Sequence, residues 1–207
     1  MANTNIAVTP GSGANVAVYN DASTPAQSFQ RVIAAFEPSQ KATYFASYKN
    51  LSIGTGATTN ILTMAGSATK KVTVTRITLS ATSTTTAAYF DVLMNRQSAA
   101  DTGGTATTTA TIVKADTTNA AASAVAPLFY TAGPTAGALV GQMAAVKLFA
   151  PITGTPALVQ PVDLTNDNYY GQGIVLNGVA DVLAITVNGV TPGTASSWDV
   201  TVQWQEE

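Results

Sequence analysis

Hydrophobic and polar residues alternate with a period of two along much of this chain. The pattern is clearest in the segment SSWDVTVQWQEE (196–207), where every second residue is large and apolar. These residues are Trp198, Val200, Val202 and Trp204. Alternate side chains point to opposite faces of a strand, so we predict a central, half-buried strand with both indoles in the core. Glu206 and Glu207 are expected to be solvated at its exit.

Similar extended segments recur between clusters of glycine, proline and asparagine. They span 43–54, 60–66, 70–82, 87–99, 109–116, 139–151, 158–164, 171–178 and 181–189. Short strands with regular turn signals predict an antiparallel β-sandwich or barrel, and we expect 181–189 to lie beside 196–207. The segment TTNAAASAVA (117–126) is the only plausible helix.

Two of these segments carry further information. The alternation in 70–82 changes parity near Thr75–Arg76, which predicts a bulge or bend. The segment 87–99 is largely apolar on both faces, which predicts burial on two sides or a trimer contact along Tyr89–Met94. Asp91 is expected to form a structural ion pair with Arg96 or Arg76.

The first forty residues differ from the rest of the chain. They contain only short apolar runs around a Pro-Gly-Ser-Gly turn, and three short strands cannot bury a core alone. We therefore predict an extended N-terminal arm (residues 1–40) that docks on another body, and a sandwich domain (residues 41–207). The predicted partner-binding residues of the arm are Ile6, Val8, Val16, Val18, Phe29, Val32 and Phe36.

Composition excludes several classes of function. Only 10% of the 207 residues are charged, against roughly 25% in ordinary proteins, and the net charge is −2. No basic stripe is present, so no nucleic-acid partner is predicted. Cysteine and histidine are both absent, which removes disulfides, thiolate catalysis and the commonest general base. We predict no cofactor or metal, no signal peptide and no membrane span.

Motifs that could carry chemistry are weak. The segment DLTNDN (163–168) has the alternating oxygen ligands of a calcium loop but lacks its central glycine and distal glutamate. Tyr169 and Tyr170, with Asp163 and Asp167 nearby, could form a glycan-binding platform or equally an aromatic pair at a strand edge. A serine nucleophile would need an activating base, and histidine is absent, so no enzymatic activity is predicted.

Three segments resemble virion proteins of tailed bacteriophages. They are VTPGSGANVAVYN followed by FQRV, the stretch 113–149 with its YTAGPTAG element, and the closing segment 173–207. The resemblance covers about half of the chain. It implies an all-β, antiparallel jelly-roll (TNF-like) sandwich that assembles as a homotrimer in the virion, bound to the major capsid protein or other virion proteins. The implied roles are capsid decoration or cement, with a tail, baseplate or tail-fibre component as the alternative. No catalytic residue belongs to the pattern.

Overall fold

The computed structural model describes residues 41–53, 59–106, 110–124, 126–154, 162–163, 173–189 and 195–207. The chain divides into two units, residues 1–40 and residues 41–207, and the described residues all belong to the second. These residues form twelve strands. They are β1 (Ala42–Ile53), β2 (Thr59–Ala65), β3 (Val72–Ser83), β4 (Ala88–Gln97), β5 (Thr105–Ala106), β6 (Val113–Lys114), β7 (Leu128–Ala132), β8 (Leu139–Ala150), β9 (Val162–Asp163), β10 (Ile174–Leu176), β11 (Val182–Gly189) and β12 (Ser196–Glu206).

These strands form two antiparallel sheets that pack face to face. The first sheet has the order β10-β3-β12-β1-β6, and β9 also pairs with β3. The second has the order β5-β7-β2-β11-β4-β8. The predicted all-β antiparallel sandwich is therefore confirmed, whereas the jelly-roll connectivity stays a prediction.

The strand β12 is the centre of the first sheet, as its alternation predicts. It pairs with β3 on one side and with β1 on the other. Trp198 and Trp204 are fully buried in the core. The Trp198 ring meets the edge of Phe90 from the second sheet, with ring centroids 5.2 Å apart at 74°, and Trp204 stacks on Tyr44 at 5.7 Å. The two indoles therefore fill separate parts of the space between the sheets.

The predicted bulge in β3 is also present. The register between β3 and β12 shifts where Gln203 pairs with Arg76 and Trp204 pairs with Val74, which leaves Thr75 as the extra residue. The extra residue moves the apolar parity from even to odd positions, so Val74 and Ile77 both reach the core.

The predicted pairing of 181–189 with 196–207 is wrong. The strand β11 lies in the second sheet between β2 and β4, whereas β12 lies in the first sheet. Every residue of β11 from Val182 to Val187 is buried, which is the pattern of an interior strand with neighbours on both sides. The connection from β11 to β12 thus crosses between the sheets.

The predicted helix over 117–126 is also wrong. The described residues of this segment form a turn, bends and irregular backbone. The Asp116 carboxylate accepts hydrogen bonds from the Thr118 amide (2.9 Å) and hydroxyl (2.7 Å), which starts a turn instead of a helix. We call residues 115–124 the alanine-rich loop.

Candidate functional site

Most of the predicted binding residues lie outside the described residues. These are all seven residues of the arm and Asp167, Tyr169 and Tyr170 of the glycan-platform hypothesis. The backbone of Asp163 belongs to β9 and pairs with Thr78 of β3, but its side chain is outside the described part. The two-faced strand Tyr89–Met94 is described. Phe90, Val92 and Met94 are buried, whereas Tyr89 on the other face is 52% exposed.

A buried carboxylate at the end of β12 holds the alanine-rich loop against the sandwich. Glu206 is only 4% exposed, so the prediction that it is solvated is wrong. Its carboxylate accepts hydrogen bonds from the Ser123 amide (2.8 and 3.0 Å), the Ser123 hydroxyl (2.7 Å) and the Ala124 amide (3.0 Å). The Trp204 indole donates a further hydrogen bond to it at 3.1 Å. We call this arrangement the Glu206 clasp.

Two more side chains fasten the same loop. The Tyr44 hydroxyl donates to the Ala120 carbonyl at 3.1 Å, and the Lys114 ammonium donates to the Asn119 carbonyl at 2.7 Å. Tyr44 also stacks on Trp204, so the loop covers the aromatic pair at this end of the core. These contacts explain why the alanine run is not helical: its amide groups are bound by a side chain from a distant strand.

The environment of Glu206 favours its ionised form. Burial alone raises the pKa of this carboxyl, but the amide of Ala124, the hydroxyl and amide of Ser123 and the Trp204 indole outweigh burial and lower the pKa below its ordinary value. Lys70 lies 3.7 Å away and adds an opposite charge. Glu207 is half exposed and pairs with Lys41 and Lys71.

A second clasp joins β4 to the turn before β11. The Arg96 guanidinium donates to both carboxylate oxygens of Asp181, with 2.7 Å from Nε to Oδ1, and to the Val175 carbonyl at 2.9 Å. Asp181 also accepts the Asn177 amide at 2.9 Å. Burial raises the pKa of Asp181, but the hydrogen bonds from Arg96 and Asn177 outweigh it, so the pKa is lowered. The clasp fixes the β10–β11 turn to β4 of the second sheet.

Replacing Arg96 with lysine should lower the free energy of unfolding by about 1–2 kcal/mol, because an ammonium cannot reproduce the two parallel hydrogen bonds to Asp181. Urea denaturation followed by tryptophan fluorescence measures this loss. Lys147→Arg is the matched control, since the Lys147–Asp91 pair is exposed and contributes little. If Arg96→Lys were as stable as the wild type, the two parallel hydrogen bonds from Arg96 to Asp181 would not contribute to stability.

A row of polar side chains crosses the second sheet. The Asn95 amide donates to the Thr186 hydroxyl (2.9 Å), that hydroxyl donates to Asn60 Oδ1 (2.6 Å), and the Asn60 amide donates to Asp101 (2.7 Å). Asp101 also accepts the Gly137 amide at 2.9 Å, which ties down the loop before β8. Within the described part, Gln97 Oε1 is the one buried side-chain oxygen or nitrogen without a partner. The row therefore positions strands and loops.

The predicted partner of Asp91 is wrong. Asp91 accepts a hydrogen bond from Lys147 at 2.6 Å, because these residues lie directly opposite each other in β4 and β8. Arg96 binds Asp181 instead. The residue pattern within one strand does not show which residue of the neighbouring strand lies opposite.

The described residues contain no cluster of three or more acidic, histidine or cysteine side chains that could hold a metal ion. No helix among them could span a membrane.

The described residues thus form an all-β sandwich in which most buried polar side chains are hydrogen-bonded to one another. No protein-family model matches the chain, and no curated protein matches it significantly.

Proposed function

We propose that this chain is a non-enzymatic structural protein of a bacteriophage virion. In this role it decorates or cements the capsid through its arm (residues 1–40) and a trimeric sandwich body. The partners are other copies of the chain and the major capsid protein or another virion protein. No cofactor takes part.

One observation of the structure carries this proposal. The exposed large apolar side chains of the described residues are concentrated on β8 and the neighbouring β4. In the same body, most described buried polar groups are hydrogen-bonded to one another. Such a surface suits packing against another protein more than chemistry on a small molecule. The low charge of the chain supports the same role, because few charged groups lose their hydration when copies pack side by side.

The sequence segments that resemble phage virion proteins supply the assignment to a particle. The alternative within the same class is a tail, baseplate or tail-fibre component, with Tyr169, Tyr170, Asp163 and Asp167 as a glycan-binding platform. Quantitative mass spectrometry of purified virions separates the two. A copy number comparable with that of the major capsid protein supports decoration, and a far smaller one supports the tail. Absence of the chain from the particle contradicts both.

The arm hypothesis makes a direct prediction for the full-length chain. The double variant Phe29→Asp with Val32→Asp should fold normally but lose association with the particle, because two carboxylates at an apolar contact are costly to desolvate. Co-sedimentation with particles assembled without the wild-type chain measures the loss. Val179→Asp, an exposed apolar position of the body, is the matched control. Full occupancy by the arm variant would contradict the hypothesis.

A further inference from the structure

We propose that β8 and the outward face of β4 form a surface that binds a second copy of this chain. We call it the β8 surface and define it as Tyr89, Leu139, Val140, Met143 and Phe149. The inference rests on the proposed function, because it locates the self-contact that the trimer requires. It is tested on the purified chain, so that its outcome is separate from the particle experiments.

The exposed apolar side chains of the described residues are not scattered evenly. Five of the eight large hydrophobic residues that are exposed belong to the β8 surface. Leu139 is 63% exposed, Val140 64% and Phe149 44%. Tyr89 and Phe149 are a ring pair with centroids 5.1 Å apart, so part of the surface is already ordered in the single chain. Aromatic residues and methionine are enriched at the centres of protein interfaces.

The position of β8 makes this concentration unusual. The strand has twelve residues and lies at the edge of the second sheet, whereas the other edge strands of the described sheets have two or three residues. A long, exposed, apolar edge strand pairs readily with another chain unless it is covered. In the first half of β8, side chains on both faces are exposed, so this half projects beyond the core of its own copy.

Two bulges shape that first half. The register with β4 skips Val140 and Met143, so each is an extra residue without a partner on β4. The bulges interrupt the row of unpaired backbone amide and carbonyl groups along this edge. Together with the charged Lys147, they disfavour the addition of a strand from another chain. We therefore expect the contact to be made by the exposed side chains of β8 and not by strand addition.

Gly141 lies between the two bulges. A Cβ atom at this position would meet nothing within 4 Å, so the single chain does not require glycine there for lack of space. Glycine inside a strand weakens it, and it often marks a bulge or a place where another backbone approaches closely. The open space at Gly141 leaves room for the backbone of a second copy to approach closely here.

The charge of the β8 surface indicates which kind of partner binds to it. Lys147 is the only charged residue of β8, and Asp91 of the same copy neutralises it at 2.6 Å. No unpaired charge remains on β8 for an acidic or basic partner to match. A neutral apolar surface meets another copy of itself without repulsion between like charges. These properties favour a second copy of the chain.

The test is sedimentation velocity of the full-length chain from nanomolar to high micromolar concentration. The wild type should self-associate, and Val140→Lys with Met143→Lys should weaken its association at least about tenfold. The matched control is Val113→Lys with Val179→Lys, which adds the same charge at two equally exposed apolar positions elsewhere. The control should associate like the wild type. If the first pair of lysines disturbs folding, Tyr89→Glu with Phe149→Glu tests the other end of the surface.

Two outcomes would overturn the inference. One is a wild-type chain that stays monomeric at every concentration, and the other is a control that dissociates as much as the β8 variant. A monomeric wild type whose β8 variant no longer joins the particle would assign the surface to another virion protein. In that case the proposed binding to the particle would stand, whereas the trimeric body and this inference would be wrong.

Discussion

Replacement of Glu206 with alanine is expected to lower the free energy of unfolding by about 2–4 kcal/mol. The substitution leaves four donors without their acceptor: the amide and hydroxyl of Ser123, the Ala124 amide and the Trp204 indole. It also frees the alanine-rich loop from the end of β12, so Trp204 and Tyr44 lose their cover. Urea denaturation gives the stability, and the emission maximum of Trp204 in a Trp198→Phe background should shift to longer wavelength.

The neighbouring Glu207→Ala is the matched control, because this glutamate is half exposed and only pairs with surface lysines. It should be clearly less destabilising than Glu206→Ala and should not change the emission of Trp204. A Glu206→Ala variant as stable as the Glu207→Ala variant would show that the clasp contributes nothing.

The same clasp predicts a dependence on pH. The pKa of Glu206 is lower in the folded chain than in the unfolded chain, so the unfolded state binds more protons between the two values. The stabilisation is complete above the ordinary glutamate pKa of about 4.3 and is lost as the pH falls through the lower, folded value. Lys70 faces the carboxylate from the β2–β3 loop, and burial raises the pKa of Tyr44, so its hydroxyl stays neutral throughout this range. The acid loss of stability should be smaller in Glu206→Gln; an identical pH profile would assign it to other carboxylates such as Asp181.

Trp198→Ala is expected to be the most destabilising single substitution in the core, at about 3–5 kcal/mol. The indole is fully buried, meets Phe90 of the other sheet edge-on, and donates from Nε1 to the Ser196 hydroxyl at 2.7 Å. Its removal leaves a cavity between the sheets that the paired strands on either side cannot collapse to fill. Guanidinium denaturation followed by far-ultraviolet circular dichroism measures the effect.

Val179→Ala is the control for the core, since this side chain is 52% exposed and lies outside the β8 surface. It should cost less than about 1 kcal/mol, because surface substitutions away from buried features change stability little. A Trp198→Ala variant that unfolds at the denaturant concentration of the Val179→Ala variant would contradict the burial of the indole.

The alternation of apolar and polar residues within single segments was sufficient to predict the class of fold and the most regular strands. The alternation of 196–207 predicted a central strand with two buried indoles, and the parity change in 70–82 predicted the bulge at Thr75. Both follow from the geometry of a single strand, in which neighbouring side chains must point to opposite faces. The bounds of β7 were not predicted, because its five residues lie in an apolar, proline-containing stretch without clear alternation.

The prediction for Glu206, at the end of the final strand, did not follow the alternation of that strand. Glu206 has the same parity as Trp198 and Trp204, so continuation of the strand would have placed it on the buried face. Its charge instead suggested a solvated end. A buried carboxylate is stable only with several donors, and its donors come from residues about eighty positions earlier in the chain.

The sequence by itself determined that this protein is all-β, with low charge and with both tryptophans in its core, because these properties depend on the period of the pattern and on composition. The tertiary structure alone decided that β11 and β12 lie in different sheets, that Asp91 pairs with Lys147 and Arg96 with Asp181, and that β8 is the long exposed edge. The physical reason is that pairing between strands, ion pairs and exposure are relations between distant segments, and the period of one segment contains no information about its neighbour.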